Sequence, residues 1–502
     1  MPIQMRKGIL LLSRISVLFL VAFSCNSSRP APLKPNILLV ITDDQSWEHV
    51  GSYGDRAVQT PYIDQLSREG IRFEHAYAAC PSCSPSRAAI LTGQDIYRLE
   101  EGGVLTGFIR EKFVLFPQIL AENGYHVGST GKRYWPRTQN MEGAVDEPIG
   151  KVYQVRHQEP IPEGISKVDY SASFNSFLDD RQDDDPFFFW VGTGEPHMPY
   201  ETDRGIATGI DTSAIRIPGF IPDVPVARLD LADYLSEIEW VDQALGEMIG
   251  ILEEKGMLET TLIVFTSDNG MPFPRAKATL YDHGVRMPLV MRWGSQLKGE
   301  RIITNPVSLI DLGPTFLDLA GIAIPDQMTG RSLKDLLFRK QSGFIKGKHE
   351  FVVSAFEKHV LARPDSLGFP RRAIHTDEWT YIINYEPDRY PMGTEEIQIP
   401  WWDNFGETDP SRTKEYFKEQ MKQPEFSQLW ELAFGKVPGE ELFNKKEDPD
   451  MLVNLAEDPE YASVKDDLRK KLEKYLVDTS DPRSQGLSPW DVYYLDKPVP
   501  PK

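Results

Sequence analysis

The sequence predicts an α/β fold: a large mixed, mainly parallel sheet sandwiched by helices, followed by a smaller C-terminal α+β domain with an antiparallel sheet. Three observations carry that expectation. Three continuous apolar runs, "PNILLVITDD", "PFFFWVG" and "TLIVFTSDNG", read as strands buried on both faces, which is the pattern of parallel sheets. Helical patterns separate them, and strand–helix alternation builds a sheet between helix layers. After about residue 345 the texture changes to short strands, with connections rich in proline, tryptophan and charge.

The first strand spans Asn36 to Thr42 and ends in Asp43-Asp44. "TPYIDQLSREG" follows as a helix, with Thr60 as cap, Pro61 at the first helical position and Gly70 at the end. A second helix, "LFPQILAENG", stops at Gly124, and "YHVGSTGK" is a strand running into a glycine-lysine turn. The strand at 186–192 precedes a long helix from about Arg228 to Glu254. Its Leu231, Leu235, Ile238, Leu245, Met248 and Leu252 recur near the helical period. The strand at 261–270 then ends in Asp268-Asn269. Further on, "FVVSAF" and "WTYIINYE" read as antiparallel strands, and "YASVKDDLRKKLEKYLVD" as an amphipathic helix.

At the N-terminus, Arg6, Lys7 and Arg14 precede the apolar run "ISVLFLVAF", and small or polar residues follow. This is the layout of an export signal, and the apolar run is too short for an ordinary membrane span. The run ending at Ser24-Cys25 resembles a bacterial lipoprotein signal, with Cys25 lipidated and the protein in the periplasm or on the cell surface; an ordinary cleaved secretory signal is the alternative. The expected organisation is a signal over 1–25, a linker over 26–34, a large catalytic domain over 35–345 and the α+β domain over 346–502.

Composition sets limits. Of 502 residues, 40% are hydrophobic, which is enough for a sizeable core. The formal net charge of −20 argues against a nucleic-acid surface. An anionic substrate would therefore have to be drawn in by a local basic cluster. The three cysteines are Cys25, Cys80 and Cys83. The C-x-x-C of Cys80 and Cys83 lacks a thioredoxin-like setting, and nearby residues offer no further zinc ligands.

Adjacent acids at a strand end are ordinarily a cap or a turn. Two such ends, Asp43-Asp44 and Asp268-Asn269, converging on one sheet edge would instead make an oxygen-only site suited to Ca²⁺ or Mg²⁺. Between them lies "YAACPSCSPSRAAILTG", where Cys83 opens a helical run and Arg87 follows one turn later. A helix N-terminus stabilises negative charge, and a guanidinium holds an anion with fixed donors.

Cys83-x-Pro85-x-Arg87 followed by Leu91-Thr92-Gly93 resembles the signature of type I sulfatases, within the alkaline phosphatase superfamily. The pattern K-x-T-x-Y-x-x-G-x-R-x-P, matched by Lys277, Thr279, Tyr281, Gly284, Arg286 and Pro288, is similar to the same family's. The resemblance covers nearly the whole chain, including "ELFNKKEDPDMLVNLAEDP" near its end. It implies an alkaline phosphatase-like fold, and oxidation of Cys83 by a maturase to formylglycine (3-oxoalanine), whose hydrate supplies the oxygen nucleophile. It also implies one Ca²⁺ bound by Asp43, Asp44, Asp268, Asn269 and residue 83. Arg87, Lys132 and Lys277 would hold sulfate charge, and His197 of "EPHMPY" would protonate the leaving group.

Many relatives carry Gly-Lys-x-His where this chain has Gly131-Lys132-Arg133-Tyr134. Tyr134 cannot act as an imidazole base, and His126 and His283 are the stand-ins to consider. Within the family, "SCSPSRA", "FTSDNGMPFP" and "VPVARLDLA" resemble sulfamidases, the N-sulfoglucosamine sulfohydrolases, although Lys277 replaces the arginine those carry after "PFP". The implied substrate is a sulfated oligosaccharide or polysaccharide. It would carry an O-sulfate ester, as in ulvan or carrageenan, or an N-sulfate of heparan-type glucosamine. His359, Arg371 and Arg372 are candidate sugar contacts. A phosphoesterase on the same fold and a catalytically decayed glycan-binding lipoprotein are the competing readings. No nucleic-acid partner is expected, and membrane contact only through the lipid.

Overall fold

The computed structural model describes residues 1–2, 34–134, 143–182, 184–420 and 423–492. The apolar leader, Cys25 and nearly all of the linker lie outside the described residues. In chain order the strands are β1 (Asn36–Thr42), β2 (Ile71–Phe73), β3 (Ala76–Tyr77), β4 (His126–Gly131), β5 (Lys151–Val152), β6 (Phe187–Gly192), β7 (Thr261–Ser267), β8 (Arg286–Met287), β9 (Leu289–Arg292), β10 (Arg301–Ile303), β11 (Val307–Ser308), β12 (Val352–Phe356), β13 (Arg371–His375), β14 (Trp379–Asn384) and β15 (Glu440–Asn444).

Eight of them form the main sheet in the order β10-β2-β9-β7-β1-β6-β4-β5. It is parallel throughout except at β9, which runs against β2 and β7. Alternate residues of β1 feed two cores, as the pleat requires. Ile37, Leu39 and Ile41 pack with residues of the helices Cys83–Thr92, Phe116–Glu122 and Leu312–Leu319. Leu38 and Val40 face Val241, Leu245 and Met248 of the long helix, with Phe174 and Phe177 of the helix Tyr170–Asp180. The expected sandwich is therefore present.

The long helix begins at Pro225, three residues before the expected start, and its six periodic apolar residues are all buried. The helix Pro61–Glu69 carries Pro61 in its first turn, but Thr60 does not cap it. The Thr60 hydroxyl instead accepts from the Gly51 amide at 2.9 Å and turns toward Asp64.

The antiparallel sheet is four-stranded, β12-β13-β14-β15. Its Ile374 and Tyr381 join the same hydrophobic core as β1 and the helix Cys83–Thr92. Lys34–Lys502 is accordingly one compact unit. Among the described residues, no helix is long and apolar enough to cross a membrane.

Strand register places the chemistry. Ile41 pairs with Gly192, Gly192 with Gly131, and Thr42 with Ser267. The residues that follow these strands, Asp43, Thr193, Lys132 and Asp268, therefore emerge together at the carboxyl edge of four adjacent parallel strands. That edge is where open α/β sheets bind ligands.

Candidate active site

The helix Cys83–Thr92 starts directly after Ser82, which is extended, and ends where Gly93 turns left-handed and donates to the Ala89 and Ile90 carbonyls. All ten of its residues are buried. Cys83 is thus fixed at the first position of a buried helix, at its electropositive end. Burial pushes its thiol above the ordinary range, against the pull of Lys132. A thiol held protonated is a poor nucleophile. Cys80 is also a free, buried thiol, raised further still by burial and by Cys83.

Arg87, one turn into the helix, is fully buried and ties three strand ends together. Its Nε donates to Asp268 Oδ2 at 2.6 Å, Nη1 to the Lys132 carbonyl at 2.6 Å and Nη2 to the Thr42 carbonyl at 3.4 Å. The approach requires glycine at the end of β6. A Cβ at Gly192 would stand 1.6 Å from the Lys132 carbonyl oxygen and 2.6 Å from Arg87 Nη1.

Asp43, Asp44, Asp268 and Asn269 are all buried beside this arginine. Lys132 Nζ pairs with Asp43, and Lys277 Nζ with Asp44. Asn269 Nδ2 donates to Asp44 Oδ1 at 2.6 Å, and the Asp44 amide to Asp268 Oδ1 at 3.2 Å. Burial would raise the Asp43 carboxyl, but Lys132, His197, Arg87 and Lys277 outweigh it and hold it well below the usual range. For Asp44 burial prevails, helped by the charges of Asp43 and Asp409, and its pKa is pushed up to about 6.

Asp43, Asp44 and Asp268 each offer an oxygen within 4.8 Å of the others. Asp43 Oδ1, Asp44 Oδ2 and Asn269 Oδ1 are buried without a hydrogen-bond partner. Buried polar atoms are ordinarily satisfied, so three orphaned oxygens in one cluster fit a hard divalent cation.

His197 follows β6 and is the most open of the group, with a third of its side chain accessible. Its Nδ1–H donates to the Met198 carbonyl at 2.7 Å, leaving Nε2 3.8 Å from Asp44 and 3.8 Å from Asp409. Asp409 escapes sequence reasoning. It comes from an irregular segment, "FGETDPSR", where a lone acid carries no pattern, yet its Oδ2 lies 3.2 Å from Lys277 Nζ.

His359 is buried at the edge of this group, with Nδ1 2.7 Å from the Ser82 hydroxyl and Nε2 without a partner. Burial, then Lys277, lowers its pKa to about 3, so the ring is neutral. Arg371 and Arg372 do not reach the site, which corrects the expectation of sugar contacts from them. Both are buried in β13. Arg372 pairs with Asp481 and Glu357 at 2.8 Å each, and Arg371 lies over the Phe369 ring at 4.7 Å.

Tyr134 donates its phenol proton to the Gly107 carbonyl at 2.7 Å. Neither stand-in histidine belongs to the site. His126 stacks on Phe177 at the far end of β4, and His283 pairs with Glu48 and Asp450.

Comparison with known proteins decides the family. The sulfatase family model matches residues 35–322, more than half of the chain. The chain is a member of the sulfatase family. A second family model, for the C-terminal part of N-sulphoglucosamine sulphohydrolase, matches residues 275–392 of this sulfatase.

Human N-sulphoglucosamine sulphohydrolase is 28% identical, over 89% of this chain and 91% of that protein. An ulvan-active sulfatase of Formosa agariphila is 27% identical, over 90% of this chain and 76% of its own length. Among solved structures, one in complex with its substrate D-glucosamine-2-N,6-O-disulfate superposes with a TM-score of 0.63 at 19% identity, covering 89% of this chain and 98% of that one. A phosphonate monoester hydrolase from Silicibacter pomeroyi does so with a TM-score of 0.62 at 18% identity, over 89% of this chain and 96% of its own. These structural likenesses establish the alkaline phosphatase-like fold. As a family member, the chain is a sulfuric ester hydrolase.

Proposed function

We propose that this sulfatase removes sulfate from a sulfated glycan, with Cys83 matured to formylglycine and a calcium ion held by Asp43, Asp44, Asp268 and Asn269. The observation that carries the reading is the cluster of orphaned carboxylate and amide oxygens beside Arg87, Lys132 and Lys277, at the N-terminus of the Cys83 helix. When bound, the two groups would supply an oxygen nucleophile and a Lewis acid.

The charge balance supports a divalent ion. Three cations, the buried Arg87 and Lys277 and the half-buried Lys132, face the four carboxylates Asp43, Asp44, Asp268 and Asp409. That set carries an excess negative charge and repels sulfate, whereas a divalent cation reverses the sign. Lys132, Lys277 and Arg87 then neutralise the sulfate oxygens. His197 Nε2, on the open side, gives a proton to the leaving oxygen or nitrogen. The bond between sulfur and the leaving atom breaks, water supplies the oxygen that remains on sulfate, and the sugar departs with its hydroxyl or amine.

His359, neutral and with a buried, unpartnered Nε2, is the candidate sugar contact that stays beside the site. The reading includes a maturase as partner. It also includes export, with Cys25 lipidated and the protein in the periplasm or on the cell surface.

The test is sulfate release from defined heparin-, ulvan- and carrageenan-derived oligosaccharides, set against matched phosphate esters. Release from at least one sulfated set, faster than from the phosphates, is the expected result. Faster phosphate release overturns the proposal.

A further inference from the structure

We propose that Asp409 is a positioning residue: a fixed counter-ion that holds the Lys277 ammonium off Asp44, so that Asp44 can bind the metal and Lys277 can meet sulfate. This rests on the metal site proposed above and adds a member to it from the C-terminal part of the chain.

Lys277 is fully buried. A buried ammonium needs a carboxylate within reach. Two are present, Asp44, which Nζ touches through Oδ1, and Asp409, with Oδ2 at 3.2 Å. They are not equivalent. Asp44 belongs to both acidic groups of the site, Asp43-Asp44-Asp268 and Asp44-His197-Asp409. It also accepts from Asn269 Nδ2 at 2.6 Å. A divalent ion among Asp43, Asp44 and Asp268 competes with the ammonium for Asp44, and Asp409 is then the carboxylate left to Lys277.

Asp409 is built to stay in place. It is 1% exposed, and its Oδ1 accepts from the Trp402 indole N–H at 3.0 Å. Trp402 packs in turn on the small apolar cluster of Cys83, Leu105, Val360 and Ala362. The carboxylate is thereby anchored to the wall of the nucleophile's own pocket. Burial would raise the Asp409 carboxyl, but the Lys277 ammonium, followed by His197, outweighs it and holds Asp409 ionised. With an ammonium already lodged against two of its carboxylates, the group Asp44-His197-Asp409 reads as a counter-ion set and not as a second metal site.

Calcium affinity, measured by titration calorimetry on the full chain, tests this without relying on turnover. Asp409→Asn leaves the ammonium to Asp44 alone and is expected to weaken calcium binding by about tenfold or more. Trp402→Phe, which removes only the tether, weakens it less. Lys277→Met added to Asp409→Asn removes the competitor and restores affinity to the wild-type level or better.

Unchanged affinity in both Asp409→Asn and Trp402→Phe overturns the proposal. A double variant as weak as Asp409→Asn also overturns it, because Asp409 would then be a ligand of the ion. A wild-type chain that takes up no calcium instead overturns the metal site itself, and this role with it.

Discussion

His197 has one nitrogen committed and one free. Nδ1–H is spent on the Met198 carbonyl, so in the proposed reaction Nε2 is the atom that would meet a substrate. If it is the acid, its removal matters most when the leaving group is a poor one. His197→Ala is expected to lower kcat on a sulfated sugar by about 10²–10⁴-fold, and far less on an aryl sulfate whose phenolate leaves unaided. Equal losses on both substrates contradict the assignment. Most of the site was legible at this scale, because Asp43, Asp44, Lys132, His197, Asp268 and Asn269 each sit just past a recognisable strand. Asp409 was not, since only tertiary packing brings it to Lys277. The fate of Tyr134 was also hidden: its phenol turns to the Gly107 carbonyl, a partner no local pattern indicates.

Among the elements, the continuous apolar strands β1, β6 and β7 and the periodic long helix were readable, because burial on both faces or on one stripe writes itself into residue spacing. β13 was not. "RRAIH" looks like a solvated segment, and its arginines looked available to a sugar. In the fold Arg372 is fully buried, with Glu357 and Asp481 supplied from distant points of the chain. Arg372 can be buried in a strand only because tertiary partners match its charge. Arg372→Met strands the buried Asp481 carboxylate, while Glu357 keeps Arg483, and is expected to cost roughly 3–5 kcal/mol in denaturant unfolding. The KM of whatever protein stays folded is expected to remain at its wild-type value. A raised KM at unchanged stability would return Arg372 to the sugar.

Over the whole molecule, the formal charge of −20 opposes an anionic substrate, and the proposed divalent ion would reverse the sign at the site. Two parts of the chain contribute to that site. The carboxyl edge of the main sheet presents the groups proposed to hold metal and sulfate, while the C-terminal part adds His359, Trp402 and Asp409 beside them. A single core shared by both sheets keeps these contributions in register. Everything converges on residue 83, whose thiol is buried, protonated and unsuited to act as it is encoded. Mass spectrometry of the peptide spanning Cys83, from protein made alongside an active maturase, is therefore the most direct test. The expected result is the mass of an aldehyde at that position. An unmodified thiol in protein that nevertheless releases sulfate at full rate would contradict it.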